Sequence, residues 1–201
     1  SRDWSSDVCS SDLDDGELKW AITPNFESPS DAGGAGGLAG SNTYLVYVRA
    51  TDTTGGDGAT NEQLITITVT NLNEAPSIST GAAQSVAENA GVNAAVVTMA
   101  GSDPEGTALT WTLVAGDGVN DADNADFSFA GAVLQLNADS DFETPICGGD
   151  NTCQIRVNAS DAGVNNTTLA MTISLTNVDD NEPVWVTAAA QAINENNAPN
   201  A

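Results

Sequence analysis

The chain repeats itself. VYVRATD at 46–52 is echoed by IRVNASD at 155–161, and NFESPSDAGG at 25–34 by DFETPICGGD at 141–150. LITITVTNLNEAP at 64–76 is echoed by AMTISLTNVDDNEP at 170–183, and AENAG at 87–91 by NENNA at 194–198. The period is about 107 residues, which is a domain repeat and not a solenoid repeat. One immunoglobulin-sized sandwich has that length. Each repeat must therefore close its own core, and the chain holds one complete copy with parts of two others. The expected divisions are 14–75, the C-terminal half of a repeat; 76–182, a complete repeat; and 183–201, the first strand of a following truncated repeat. The first thirteen residues, SRDWSSDVCSSDL, have no alternation and no turn logic, and resemble a translated sequencing-library adapter. They are set aside from fold reasoning.

Strand signals fill the complete repeat. Apolar residues alternate at Leu109/Trp111/Leu113, Leu134/Leu136, Ile155/Val157/Ala159 and Leu169/Met171/Ile173/Leu175, with mostly Thr, Ser, Gln and Asn between them. That is the period-2 pattern of half-buried antiparallel strands. AAVVTMA at 94–100 and short runs near Val86 and Phe127 add further candidates. Gly, Asn, Asp and Pro punctuate the gaps, and no segment has a helical period. The expected fold is all-β, a tandem Greek-key β-sandwich of about seven strands per repeat, immunoglobulin-like. Trp20 and Trp111 lie within apolar alternation and are expected in the core, not in a ligand-stacking surface.

Charge narrows the function. There are 28 Asp+Glu against 4 Lys+Arg and no His, for a formal net charge of −24. Nucleic acid and anionic membranes bind through Lys and Arg, so neither is expected as a partner. No stretch reaches the roughly 18 apolar residues a membrane span needs, so direct membrane insertion is not expected of this chain. The absence of His excludes His-based catalytic triads. There is no Gly-x-Ser-x-Gly elbow and no phosphate loop ending in Gly-Lys-Ser/Thr, so no enzyme activity is expected. GGAGGLAG at 33–40 reads as a flexible loop. The acids sit at strand ends and between repeats. A lone Asp or Asn there suits a turn on its own account. Clustered, they suit Ca²⁺, a hard cation that takes roughly six to eight oxygen ligands.

Five motifs in the complete repeat carry a resemblance: AEN at 87–89, DPE at 103–105, DFE at 141–143, ASD at 159–161 and NVDDNEP at 177–183. In this order, with strands between them, they resemble the cadherin repeat, over essentially everything from Asp14 onward. DPEG and NEAP are more similar to bacterial cadherin-like repeats. The resemblance implies a cadherin-like sandwich with Ca²⁺ at each repeat junction. At one junction it implies Glu88, Asp141 and Glu143 from the complete repeat and Asp179, Asp180 and Asn181 from the linker, with the Val178 carbonyl as a further donor. At the other it implies Asp103, Glu105 and Asp161 from the complete repeat, Asn73 and Glu74 from the linker and Glu27 from the preceding repeat, with Asn25 as a further donor. NLNEAP is one residue shorter than NVDDNEP, Glu74 and Glu105 stand where the family has Asp, and Asn25 stands opposite the acid of Asp141. Fewer or weaker ions are therefore expected there. Asp52 and Glu195 would serve other junctions.

With the first thirteen residues set aside, Cys147 and Cys153 remain and bracket GGDNT. The spacing allows a small disulfide-closed loop or two free thiols; with no His, a metal site on them lacks ligands. The implied function is a calcium-rigidified stalk or adhesion module, outside the cell on a bacterial surface or secreted. Its partners would be neighbouring repeats of the same chain and, through adhesion, other copies or other surface proteins. Two alternatives are a carbohydrate-binding repeat, which would show an aromatic-lined groove, and a passive spacer attached to a secreted hydrolase.

Overall fold

The computed structural model describes residues 9–10, 18–20, 22–30, 39–52, 58–162 and 165–183. In chain order the strands are β1 (Cys9–Ser10), β2 (Lys19–Trp20), β3 (Thr43–Thr51), β4 (Thr60–Thr68), β5 (Ser77–Ile78), β6 (Ala83–Ala87) and β7 (Ala95–Thr98). There follow β8 (Gly101–Ser102), β9 (Thr110–Leu113), β10 (Phe127–Ala130), β11 (Val133–Leu136), β12 (Thr152–Ser160) and β13 (Asn166–Thr176). One 3₁₀ turn, Asn124–Asp126, precedes β10, and the described residues contain no α-helix. The expected strand of the third repeat, with Trp185 and Glu195, lies outside the described residues.

The strands order as β6-β13-β12-β9 in one sheet and β10-β11-β7 in another, with β1-β2, β3-β4 and β5-β8 as pairs. The chain divides into two compact units. One holds residues 1–80, 99–112 and 157–169; the other holds 81–98, 113–156 and 170–201.

In the second unit the alternation read from the sequence becomes a core. Ile155 of β12, Met171, Ile173 and Leu175 of β13 and Val86 of β6 are buried, as are Phe127 of β10 and Leu134 and Leu136 of β11. Side chains at every second position of two sheets fill one interior, the arrangement of a β-sandwich. Each fully buried Leu, Ile or Met contributes about 1.5–3 kcal/mol. β6 runs parallel to β13, with Thr172 opposite Ala83 and Thr176 opposite Ala87. Cys147 and Cys153 are joined, with Cα atoms 5.1 Å apart, and both are buried. The bond ties the loop after Asp141 to the start of β12.

The first unit is built differently. β3 and β4 form a nine-residue antiparallel ladder, Thr43 opposite Thr68 through Thr51 opposite Thr60. Of its side chains only Tyr44 is buried, against the edge of Trp20, with ring centroids 5.0 Å apart. Tyr47 and Leu64, opposite each other, are both exposed. The segment set aside on sequence grounds contributes β1, which pairs with β2. Further along, Met99, Trp111, Val157 and Ala159 are buried. β8 opens with Gly101 for a steric reason. A Cβ there would meet the Ser77 carbonyl and come within 3.2 Å of the Trp111 ring.

Candidate metal centres

The first unit gathers three glutamates. Single carboxylate oxygens of Glu27, Glu74 and Glu105 lie within 4.8 Å of one another. Hydrogen bonds position the segment that carries Glu74. The Asn73 side chain donates to Asp161 Oδ2 at 2.6 Å, and the Asn165 side chain donates to the Asn73 carbonyl at 2.6 Å. The Thr167 hydroxyl donates to the carbonyl of Pro76, and the Glu74 N–H donates to Glu105 Oε1 at 3.3 Å. Asp103 ends β8 in a tight turn: Gly106 N–H donates to its carbonyl, Thr107 N–H donates to its Oδ1, and Gly106 takes φ 73°. Asp161 follows β12 and accepts from the Asn165 N–H.

Three oxygens of this region are buried with no hydrogen-bond partner: Glu27 Oε1, Asp103 Oδ2 and Glu105 Oε2. A buried carboxylate oxygen without a donor is costly, and like charges brought together add to the cost. Both costs are visible at Glu74. Desolvation first, then the charge of Glu27 and the hydrogen bond and charge of Glu105, hold its carboxyl above the ordinary 4.5. A cation with oxygen preference would relieve all of these at once, and an all-oxygen donor set suits Ca²⁺. The residues present fit the ion. Asn25, a further donor implied by the resemblance, already accepts the Ser28 N–H in a local turn.

The second unit gathers Glu88, Glu143 and Asp180, again with oxygens within 4.8 Å. Glu88 follows β6 and is 2% exposed. Its Oε2 accepts the Phe142 N–H at 2.7 Å and its Oε1 accepts the Val178 N–H at 2.6 Å. Asn89 turns the chain in the left-handed region at φ 57°, which Asn tolerates better than most residues. Its side chain donates to Asp180 Oδ2 and its N–H to the Ser140 carbonyl. Asn177 donates to Glu143 Oε1 at 3.0 Å. Asp141 is exposed and folds back, accepting the N–H groups of Glu143 and Thr144. Asp141 and Asp179 are outside the gathered group, and Asp179 and Asn181 are exposed. Glu143 and Asp180 are exposed too, so this cluster is the more open of the two.

Sequence reasoning missed the residues that hold the acids. Asn89 and Asn177 lie within the quoted motifs but carry no charge, and Asn165 lies in none of them. It also missed a third group, Asp123, Asp126 and Cys147. Cys147 is spent in its disulfide, and Asp123 Oδ2 accepts the Gln154 N–H at 2.7 Å. Burial, then the charge of Asp123, raises the Asp126 carboxyl.

Two sheets with alternating inward side chains define an all-β sandwich. No family profile matches the sequence, and no curated protein matches it. Solved structures do. The chain is similar to the structure described as "Protocadherin gammaB7 EC3-6 cis-dimer", with TM-score 0.54 and 21% identity over 75% of this chain and 37% of that one. It is similar to protocadherin gamma B2 extracellular cadherin domains 3-6, with TM-score 0.56 and 20% identity over 75% of this chain and 37% of that one. For domains 1-5 of protocadherin gamma B2 the values are 0.51 and 19%, over 69% and 27%. At these identities the likeness is one of fold: the chain has the sandwich fold of cadherin extracellular domains. It spans well under half the length of each of these chains.

Proposed function

We propose that this chain is a calcium-binding, non-enzymatic stalk or adhesion module that works outside the cell, on a bacterial surface or secreted. Repeats over 14–75, 76–182 and 183–201 meet at junctions where Ca²⁺ neutralises the acids and stiffens the array. One observation carries the reading: three buried carboxylate oxygens without hydrogen-bond partners, on Glu27, Asp103 and Glu105, beside the gathered group of Glu27, Glu74 and Glu105. The fold of cadherin extracellular domains supports it, as does a net charge of −24 that favours cations.

In this reading Glu27, Glu74, Glu105, Asp103 and Asp161, with Asn73, serve one centre. Glu88, Asp141, Glu143, Asp179, Asp180 and Asn181 serve the other. Ca²⁺ would supply positive charge and no redox or Lewis-acid step. The chain's own residues set the geometry: Asn73 holds Asp161, Asn89 holds Asp180, and Asn177 holds Glu143. In this reading the first centre, with three buried unpartnered oxygens, binds more tightly than the second, the reverse of what Glu74, Glu105 and Asn25 in place of the family's residues lead one to expect. Extracellular calcium modules have Kd of order 10⁻⁴–10⁻³ M, so occupancy belongs outside the cell. Neighbouring repeats are the first partners, and other copies or other surface proteins the second.

Calorimetric titration of the full chain with Ca²⁺ and with Mg²⁺, and melting with Ca²⁺ and with chelator, tests this. Two Ca²⁺-selective phases and a raised melting temperature are expected. Asp180→Ala should abolish the weaker phase and leave the tighter one. No binding heat and no melting shift would reject calcium ligation; loss of the tighter phase in Asp180→Ala would reject the ligand assignment.

A further inference from the structure

The third acidic group sits against a disulfide. One carboxylate oxygen each of Asp123 and Asp126 and the Cys147 sulfur lie within 4.8 Å of one another. Cys147 is bonded to Cys153, and the two residues are 2% and 0% exposed. Backbone pairing holds both acids there. The Asp123 N–H donates to the Gln154 carbonyl at 3.0 Å, and its Oδ2 accepts the Gln154 N–H at 2.7 Å, next to Cys153 in β12. Asp126 ends the 3₁₀ turn. Its N–H donates to the Asp123 carbonyl at 3.0 Å, and its own carbonyl accepts the Asn137 N–H at 2.9 Å. Both acids are half-buried. Burial, then the charge of Asp123, raises the Asp126 carboxyl, so the field at this place is negative. Arg156 alternates to the opposite face of β12 from Cys153 and lies against Gly116.

We propose that Asp123 and Asp126 guard the Cys147–Cys153 bond against thiols, so that it stays closed in the folded chain. Reduction begins when a thiolate attacks one sulfur and the electron pair of the S–S bond leaves on the other. Attack on Cys147 brings an anion up to both carboxylates. Attack on Cys153 leaves the anion on Cys147, beside the same carboxylates. Either way negative charge gathers where two carboxylates already stand, in a place poor in water. A second thiolate, attacking the mixed disulfide, would complete the reduction to two protein thiols and one oxidised reductant. Burial slows a thiol whatever its charge. The carboxylates add a preference by charge, and they most oppose a thiol that carries a carboxylate of its own. The bond so kept anchors the segment that carries Asp141 and Glu143. The guard works with or without Ca²⁺.

Rates of reduction of the full chain decide it, with Cys9 blocked by prior alkylation and Ca²⁺ removed by chelator. About 1 M salt screens the long-range repulsion of the whole chain and leaves half-buried charges largely unscreened. The reductants are cysteamine, a cationic thiol, and mercaptopropionate, an anionic one. Each rate is divided by the thiolate concentration, and the thiols released are trapped by alkylation and counted by mass. Cysteamine should reduce the wild-type bond faster per thiolate than mercaptopropionate does. In Asp123→Asn/Asp126→Asn that preference should shrink about tenfold. An equal change of charge in Asp179→Asn/Glu182→Gln should leave it as it was. A variant that folds less stably is reduced faster by both thiols, so the ratio of the two rates reads the guard apart from stability. No preference in the wild type, a preference unchanged in Asp123→Asn/Asp126→Asn, or one lowered equally in Asp179→Asn/Glu182→Gln would each overturn the proposal. Rates that do not rise with thiol concentration would also overturn it, because unfolding would then be the sole route to the bond.

Discussion

Two backbone N–H groups, from Phe142 and Val178, close on the carboxylate of Glu88, one to each oxygen. They come from 54 and 90 residues downstream, so nothing near Glu88 in sequence announces them. The acid itself was legible, because AEN stands at its place in the order of motifs. Its environment was not. The same contrast holds for Glu74, whose proton affinity is raised by desolvation and by Glu27 and Glu105, distant in sequence. The sign of its pH effect follows. In the folded, metal-free chain Glu74 keeps its proton to a higher pH than in the open chain. Between the two values the folded state binds more protons, so its stability falls as pH rises through that window. Under the proposed function Ca²⁺ competes with the same proton. The calcium-induced rise in melting temperature should be full above the window and shrink as pH falls through it. Scanning calorimetry with Ca²⁺ and with chelator over a pH series measures this; an undiminished rise down to the ordinary value of 4.5 would remove Glu74 from the site.

At the scale of elements, alternation is the dependable signal. Cys153, Ile155, Val157 and Ala159 in β12 are all fully buried, and the residues between them are half-buried. The period-2 pattern of side chains makes this readable from the sequence: a one-residue slip would turn the whole set outward. The short elements were not readable. β5 and β8 are two residues each, too brief to show a period, and they exist because Gly101 lets the backbone of β8 approach Ser77 under Trp111 and Leu109. Gly101→Ala puts a methyl group into the Ser77 carbonyl. The strands must separate, at a cost of about 1–3 kcal/mol, the usual range for overpacking. Urea denaturation followed by circular dichroism should show the lower midpoint. An unchanged midpoint would mean that β5 and β8 part without cost.

For the whole molecule the governing quantity is charge. With 28 acids against 4 bases, the chain repels itself wherever the acids crowd. Under the proposed function the crowding lies between repeats, so the calcium response is one of shape. Small-angle scattering of the full chain should show a narrower distribution of sizes in Ca²⁺ than in chelator, with Asp180→Ala intermediate. Equal distributions in all three would leave binding without rigidification.

The sequence by itself determined the class of fold, the period and the acid positions. Each is local: alternation, turn residues and a repeated order of short motifs can be read within a few residues. Tertiary structure alone decided which acids meet. It placed Glu27 with Glu74 and Glu105, and Glu88 with Glu143 and Asp180, and it left Asp141 and Asp179 outside those groups. It also decided which oxygens are left buried without a donor. Those outcomes depend on segments far apart in sequence, and the distance between carboxylates across such segments is set by packing and hydrogen bonding, which no local pattern encodes.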